Sequence, residues 1–502
     1  MNAHVWPIEQ VRTRLAFPRP DGVTTRSHPP FLLTVLALTS ALLCLLLWLQ
    51  DAGYASQASL ELWGQALLAS DGAVAAPSII AASPPLPYFA TIVAELAIPS
   101  FGMHILPLVT ALLFALMVAG WLRAFQSAHL SWGTSITAAV LLAANPVLLR
   151  SLAESPGWAG FHAGLSMLAV GLFNLRRDHR ITDVILVSLS LPLILMSQPV
   201  GLVFVVAAVP FIAMCVPEAQ MRRSVTGVMM TMLFPAAFVL AGFAYVNWIF
   251  NDDAFAFLGH FAEIPITPPL PASVLGLALA GMVASAPILP AILVRTRKQG
   301  SLRRASLAIG GFAVAGAGLC GMTQTMPVPV QLAALTIPLA MAAATRWPRN
   351  RSRSEMLVIA MLAFGWIGGA VTLLKAQDVE SENLRAVLMG RPTVAVDGEL
   401  AALGVALQGH DDILFDAAAA PATIAHRGSA HGISAASSIR FRLAGMRQDA
   451  RARIQVVRDT RSIRGADAMG RTFPDLYERG LPGYRLLHEG PEWRAWIRED
   501  QP

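Results

Sequence analysis

A carboxylate, a tyrosine, an arginine and a second carboxylate stand where apolar segments of this chain end. Asp51 follows the first apolar run, Phe31–Leu49, by two residues. A carboxylate at a membrane edge is partly desolvated, which favours its protonated form and suits it to general-base work. The plainer account is that Asp51 only marks the end of the segment. Tyr54 lies one helical turn on. Glu154 lies in the connection NPVLLRSLAESPGW, with Arg150 one turn before it at a spacing that lets the two pair. Arg150 could hold a phosphate, or the pair could be a surface ion pair. His162, inside the next apolar run, is costly if charged. It either faces a cleft or packs as a neutral, hydrogen-bonded ring.

Other patterns point to less. The stretch 247–269 carries Asp252, Asp253, His260 and Glu263, which are metal-ligand types at no recognised metal spacing. Cys44, Cys215 and Cys320 each sit within an apolar segment and read as packing residues. There is no Walker A loop, no GxGxxG after a strand and no HExxH. The sequence therefore gives no ground for ATP-driven transport by this chain alone.

The elements that must position these residues are membrane helices. The chain has 502 residues, 55% hydrophobic and 14% charged, against about 25% charged in soluble domains. Its mean hydropathy is +0.57. Runs of the length that spans a bilayer fall near 31–49, 104–122, 130–148, 158–175, 181–197, 200–216, 224–249, 271–294, 305–320, 328–345 and 356–375. The division between 181–197 and 200–216 rests on Gln198-Pro199 alone. With residues 1–30 as a cytoplasmic tail, the cytoplasmic segments hold 19 Lys and Arg and the outer ones before 375 hold only Arg150. That asymmetry is the positive-inside pattern. It places 50–103 and 376–502 outside, with Phe31–Leu49 as a retained anchor. Counting 84–103 as a span would invert every later loop, so it is expected to lie on the outer surface as short helices broken at Pro99 and Gly102.

After Leu374 the composition changes, with 16 Arg between 376 and 502. The runs ILF at 413–415 and IQVV at 454–457 read as buried strands. Glu399–Gln408 and Pro474–Arg479 read as helical, and YRLL and WRAWI flank Gly490-Pro491 as a hairpin. A small α/β domain is expected.

The order of these features resembles the polyprenyl-phosphate-dependent GT-C glycosyltransferases, in particular the protein O-mannosyltransferase and aminoarabinose transferase group. Asp51 and Tyr54 follow the first span. The long outer loop ends in a turn built from Pro84, Pro85, Leu86 and Tyr88. Asn145-Pro146 closes the third span, and Glu154 follows. The resemblance covers 31–175 best. It implies that Asp51 helps a hydroxyl attack the anomeric carbon as polyprenyl phosphate leaves, with Glu154 in support and the Pro84-Pro85 turn shaping the pocket floor. Where family members often carry Asp-Glu, this chain has Asp51-Ala52. Where they often carry Lys before the Pro-Pro turn, it has Ser83.

The fold expected is thus a polytopic helical membrane protein, a GT-C-like bundle at 31–375 with about eleven spans, followed by a periplasmic α/β domain at 376–502. The function expected is glycosyl transfer at the outer face of a bacterial inner membrane. The donor is a polyprenyl-phosphate-linked sugar, and the acceptor a lipid, glycan or protein. Tyr54, Pro84, Pro85, Tyr88, Arg150 and His162 would line the substrate site. Membrane lipids are partners and nucleic acid is not. No cofactor is fixed, and a divalent metal stays open. Two other classes compete. One is an inactive GT-C-like scaffold binding a lipid-linked glycan or a partner protein. The other is a lipid or glycan transporter, which would need a polar path through the spans.

Overall fold

The computed structural model describes residues 29–74, 84–178, 180–216, 218–251, 253–255, 300–323, 325–344, 351–447, 452–462 and 465–499. Residues 1–28 of the expected tail 1–30, the expected span at 271–294, and Asp252, His260 and Glu263 lie outside them; residues 29 and 30 of that tail begin the first helix.

The first part is a helical bundle: α1 (Pro29–Asp51), α2 (Gln57–Ser70), α3 (Pro85–Ala97), α4 (Ile105–Ser127), α5 (Trp132–Ala143), α6 (Pro146–Glu154), α7 (Pro156–Asp178), α8 (Ile181–Ser197), α9 (Gly201–Cys215), α10 (Glu218–Asn251), α11 (Gly300–Met322), α12 (Val328–Ala344) and α13 (Arg351–Lys375). Six of these are long and apolar enough to cross a membrane: α1, α4, α7, α10, α11 and α13. The bent pair α5–α6 makes a seventh if it is one span. Helices α8, α9 and α12 are apolar but only 15–17 residues long. Residues 181–216 do form two helices, parted at Gln198–Val200. The chain is a multi-pass membrane protein by this pattern.

The 57° bend between α5 and α6 has a local cause. Asn145 caps α6 by accepting the Val147 N–H at 3.2 Å, and Pro146 occupies the first helical position. Backbone groups freed inside a bundle must find partners. Here α13 supplies one: Trp366 Nε1 donates to Ala144 O at 2.8 Å, and Gly365 O of the same helix accepts from the Asn145 side-chain Nδ2 at 3.4 Å. At the other end of α5, Ser131 N, Ser131 Oγ and Thr134 Oγ1 all donate to the Glu355 carboxylate of α13.

The stretch 84–103 is α3 followed by a 3-10 turn, Pro99–His104, with Gly102 at φ 56°. The break falls at the expected Pro99 and Gly102. Phe89, Val93 and Leu96 form an exposed apolar stripe on α3, the pattern of a helix laid against lipid.

The second part is the sheet domain: α14 (Val379–Leu388), α15 (Gly398–Ala406), β1 (Ile413–Phe415), α16 (Pro421–Arg427), β2 (Ile433–Ser434), α17 (Ile439–Arg447), β3 (Ile454–Arg458), α18 (Ala468–Thr472), α19 (Leu476–Arg479), β4 (Tyr484–Glu489) and β5 (Trp493–Arg498). The strand order is β2-β1-β3-β5-β4. Strands β2, β1 and β3 are parallel, and β5 runs antiparallel to β3 and β4. Both expected buried strands and the terminal hairpin are present. One face of the sheet carries its own core of Phe441, Met469, Phe473, Leu476 and Tyr477.

The other face is shared with the bundle. One core joins Leu60, Trp63 and Leu67 of α2 and Ile105 of α4 to Leu403, Phe415, Ile424 and Ile454 of the sheet domain. Helix α2 lies so close to α16 that a Cβ at Gly64 would fall 1.8 Å from Pro421 O. The Asp71 carboxylate accepts the Ala430 N–H at 2.7 Å and the Ser429 hydroxyl at 3.1 Å. The loop after α1 is therefore part of the sheet domain's hydrophobic core.

Candidate functional site

The site lies at the end of the bundle that carries the sheet domain. The chain leaves α1 through Gly53 at φ 88°, with Gly53 N donating to Gln50 O at 3.0 Å and Tyr54 N to Leu49 O at 2.9 Å. This turn folds Tyr54 back beneath the helix end. Ser56 then caps α2, its hydroxyl accepting from Ser59 N at 3.1 Å. The Ser56 and Ser59 hydroxyls both donate to Glu154 O. That carbonyl is one of the orphan acceptors at the C-terminus of α6, so two serines of α2 close the end of α6.

Between these elements is a cavity of about 30 Å³, lined by Leu46, Leu49, Gln50, Tyr54, Ser56, Ser59, Leu106, Thr110, Leu152 and Ser155 among others, none of them charged. A volume of that size admits a water or two, or the tip of a hydroxylated group. Two polar atoms at its wall have no protein partner: Tyr54 Oη and Gln50 Oε1, both buried. The rest are engaged. Gln50 Nε2 donates to Met103 O, Thr110 Oγ1 donates to Leu106 O, and Ser155 Oγ accepts from Gly157 N. Burial raises the pKa of the Tyr54 phenol; nearby Arg150 opposes the shift, and Glu380 and Asp378 add to it. The phenol is thus a neutral donor and acceptor.

Behind Tyr54 lies Arg150, with none of its surface exposed. Its Nε donates to Ser381 Oγ at 3.0 Å, Nη1 to Glu154 Oε2, and Nη2 to Asp378 Oδ2 at 2.6 Å; Glu380 Oε2 is 3.7 Å from Nη2. Asp378 also caps α14, accepting both the N–H and the hydroxyl of Ser381. Burial works against its ionisation, but the Arg150 charge and the bonds from Arg150 and Ser381 outweigh that, holding the carboxyl below its usual range. All three guanidinium nitrogens are bonded to side chains of the chain itself.

The residues singled out from sequence fall into separate places. Arg150 and Glu154 do pair, though the pair is buried and not on the surface. Asp51 ends α1 with its side chain 69% exposed, and its Oδ1 is 3.1 Å from His104 Nε2. It does not line the cavity. His104 Nδ1 is 3.2 Å from Phe101 O. Pro84 and Pro85 set the cap and first position of α3, and Tyr88 is wholly buried in the core shared with the sheet domain. His162 is buried, 2.9 Å from Ser151 Oγ and stacked on Trp158. Tyr54 lines the cavity, and the other site residues do not. Among the described residues no group of three or more His, Cys, Asp or Glu could hold a metal ion.

Sequence reasoning passed over Gln50, Ser56, Ser59, His104, Asp378, Glu380 and Ser381. Two signals were available: Ser56-x-x-Ser59 and Asp378-x-x-Ser381 are capping patterns ahead of helices.

No protein-family model and no curated protein matches this chain. A second cavity, of about 260 Å³, opens in the sheet domain and is lined by Asp397, Glu399, Ala420, Arg458, Glu492 and Trp493. Arg458 ends β3 and bonds Glu492 at 2.7 Å. Glu399 Oε1 accepts the N–H groups of Glu492 and Trp493. Those side chains are mostly committed to one another. The cavity at the bundle end presents unsatisfied polar atoms beside apolar helix surface, which suits recognition of an amphiphile at a membrane interface.

Proposed function

We propose that this protein is a GT-C-type membrane glycosyltransferase that moves a sugar from a polyprenyl-phosphate donor to a lipid, glycan or protein acceptor. The observation that supports it best is the cavity at the domain end of the bundle. There Tyr54 and Gln50 offer unpartnered polar atoms next to the apolar ends of α1 and α4. A lipid-linked donor partitions into the bilayer, so its reacting centre must be met at that depth. In this reading the domain end is the outer, periplasmic side of a bacterial inner membrane, the N-terminus is cytoplasmic, and the chain crosses about eleven times.

Asp51 would take the proton of the acceptor hydroxyl as its oxygen bonds to the anomeric carbon. The bond from that carbon to the phosphate oxygen breaks, and polyprenyl phosphate leaves with its electron pair. His104 orients the Asp51 carboxylate from 3.1 Å. Arg150 is committed to Ser381, Glu154 and Asp378, so the phosphate needs another cation. Arg391 is exposed, two residues from Thr393, whose hydroxyl donates to Gly53 O at 3.1 Å beside Asp51. That makes Arg391 the candidate. The test is transfer of labelled sugar from a polyprenyl-phosphate donor by the purified protein in lipid nanodiscs. Activity lost in Asp51→Asn with normal expression supports the reading; undiminished activity removes Asp51 from it.

The saturation of Arg150 by internal partners, with Ala52 and Ser83 at the departing positions, favours a second reading: a scaffold that binds a lipid-linked glycan or a protein without transfer. A stable co-purifying partner and no transfer from any polyprenyl-phosphate donor would favour it.

A further inference from the structure

We infer that the cavity at the end of α1 is a binding site for an amphiphile with a neutral, hydroxylated head group. One head hydroxyl would enter the cavity and bond to Tyr54 Oη and Gln50 Oε1, with the rest of the head group and the chain outside it. This rests on the transfer reading and puts a substrate hydroxyl in the cavity, with the donor phosphate outside it on the Arg391 side.

Three observations carry it. First, Tyr54 is only 5% exposed, and its hydroxyl has no partner. A buried hydroxyl without a partner carries its full desolvation cost, and a ligand hydroxyl removes that cost. Gln50 Oε1 is in the same position at the same wall. One group donates and accepts while the other accepts, which matches a hydroxyl cluster.

Second, no charged residue lines the cavity. Arg150, whose charge acts on Tyr54, is enclosed by Glu154, Asp378 and Glu380. One guanidinium among three carboxylates gives an anionic head no net attraction. A phosphate placed here would be desolvated without a counter-charge. A cationic head would find its carboxylates behind the Tyr54 ring and already bonded to Arg150.

Third, the cavity lies where two helices of spanning length end: Gln50 and Tyr54 at the end of α1, Leu106 and Thr110 at the start of α4. A molecule that places a hydroxyl there has its head group at the end of both spans.

The test is binding to the full chain in phosphatidylcholine nanodiscs, with three probes of equal chain length: octyl β-glucoside, octyl phosphate and octylammonium, each below its micellar concentration. Saturable binding of the glucoside is expected, with the two charged probes at least about tenfold weaker, the worth of roughly one buried hydrogen bond. Tyr54→Phe should weaken glucoside binding about tenfold by the same constant while leaving the melting temperature unchanged or higher, because the hydroxyl has no protein bond to lose. Gln50→Met is the second variant and should act in the same direction. Non-saturable partition of all three probes, tighter binding of a charged probe, or unchanged glucoside affinity in both variants would overturn the inference. No donor and no turnover enter these measurements, so a failed transfer assay leaves the result standing, and failed binding leaves transfer to be judged separately.

Discussion

Arg150 Nη2 donates to Asp378 Oδ2 at 2.6 Å, joining the bundle helix α6 to the first turn of the sheet domain across 228 residues of sequence. The guanidinium is wholly buried, while the carboxylate keeps 22% of its side-chain surface exposed. Removing one partner from such a pair strands the other, which is more damaging than replacing both.

Arg150→Met should therefore destabilise the protein by about 3–5 kcal/mol, because it leaves Glu154, Asp378 and Glu380 clustered without a cation. Asp378→Asn should cost less, since Glu154 remains on Arg150. Thermal unfolding in nanodiscs, run as a double-mutant cycle, measures the coupling. If the two effects simply add, the pair does not hold the two parts together.

The contact of α2 with α16 makes a second, steric prediction. A methyl group at Gly64 would meet Pro421 O at 1.8 Å, against backbone that cannot rotate away. Gly64→Ala should cost at least about 1–3 kcal/mol, the range of an overpacked core, and should loosen the sheet domain from the bundle. Limited proteolysis within 389–397 reads this directly. Cleavage as slow as in the natural protein would show that α2 can shift without loss.

The two contacts also show what could be read from the sequence. The strands Ile413–Phe415 and Ile454–Arg458 and the hairpin at Gly490-Pro491 were legible because short β-branched and aromatic runs between turn residues carry their own signal. The bundle helices were legible from apolar length. Helix α2 was passed over as loop, although Ser56 is a good cap, because its buried face is completed by Leu403 and Ile424 from far along the chain. The Arg150–Glu154 pair was visible at its i, i+4 spacing. Its burial was not, because Asp378, Glu380 and Ser381 arrive from the sheet domain. Gln50 and Asp51 are adjacent in sequence, and only the rotation of the last turn of α1 decides which of them lines the cavity.

The sheet domain should have an unusual pH dependence. Asp467 is 4% exposed, and its carboxyl is raised to about 6, first by burial, against the Gly470 N–H bond, and further by the charge of Asp416. A carboxyl with a folded pKa above its unfolded value binds more protons folded than unfolded. Its stabilising contribution is then present below about pH 4 and lost as pH rises through about 6. Replacement by Asn keeps the oxygen that accepts the Gly470 and Arg458 N–H groups and cannot ionise. Asp467→Asn should raise the melting temperature at pH 7 by the equivalent of about 3 kcal/mol and leave it nearly unchanged at pH 4. Equal shifts at both pH values would show that ionisation of Asp467 is not their source.

Asp51 and Arg391 give the sharpest test of the transfer reading because both are exposed. Substitutions there should change stability by no more than about 0.5 kcal/mol, as surface changes usually do, so lost activity cannot be charged to unfolding. A base acts on kcat: Asp51→Asn should lower it by about 10²-fold or more, the usual contribution of a positioned proton acceptor. A phosphate-holding cation acts on donor binding. Arg391→Gln should raise the KM for a polyprenyl-phosphate donor with kcat nearly unchanged, as expected when an interaction is equal in ground and transition states. His104→Gln should fall between them, because it positions the carboxylate without touching the reacting atoms. If Arg391→Gln instead lowers kcat and leaves KM alone, Arg391 does not hold the donor in the ground state and its contact is made only in the transition state.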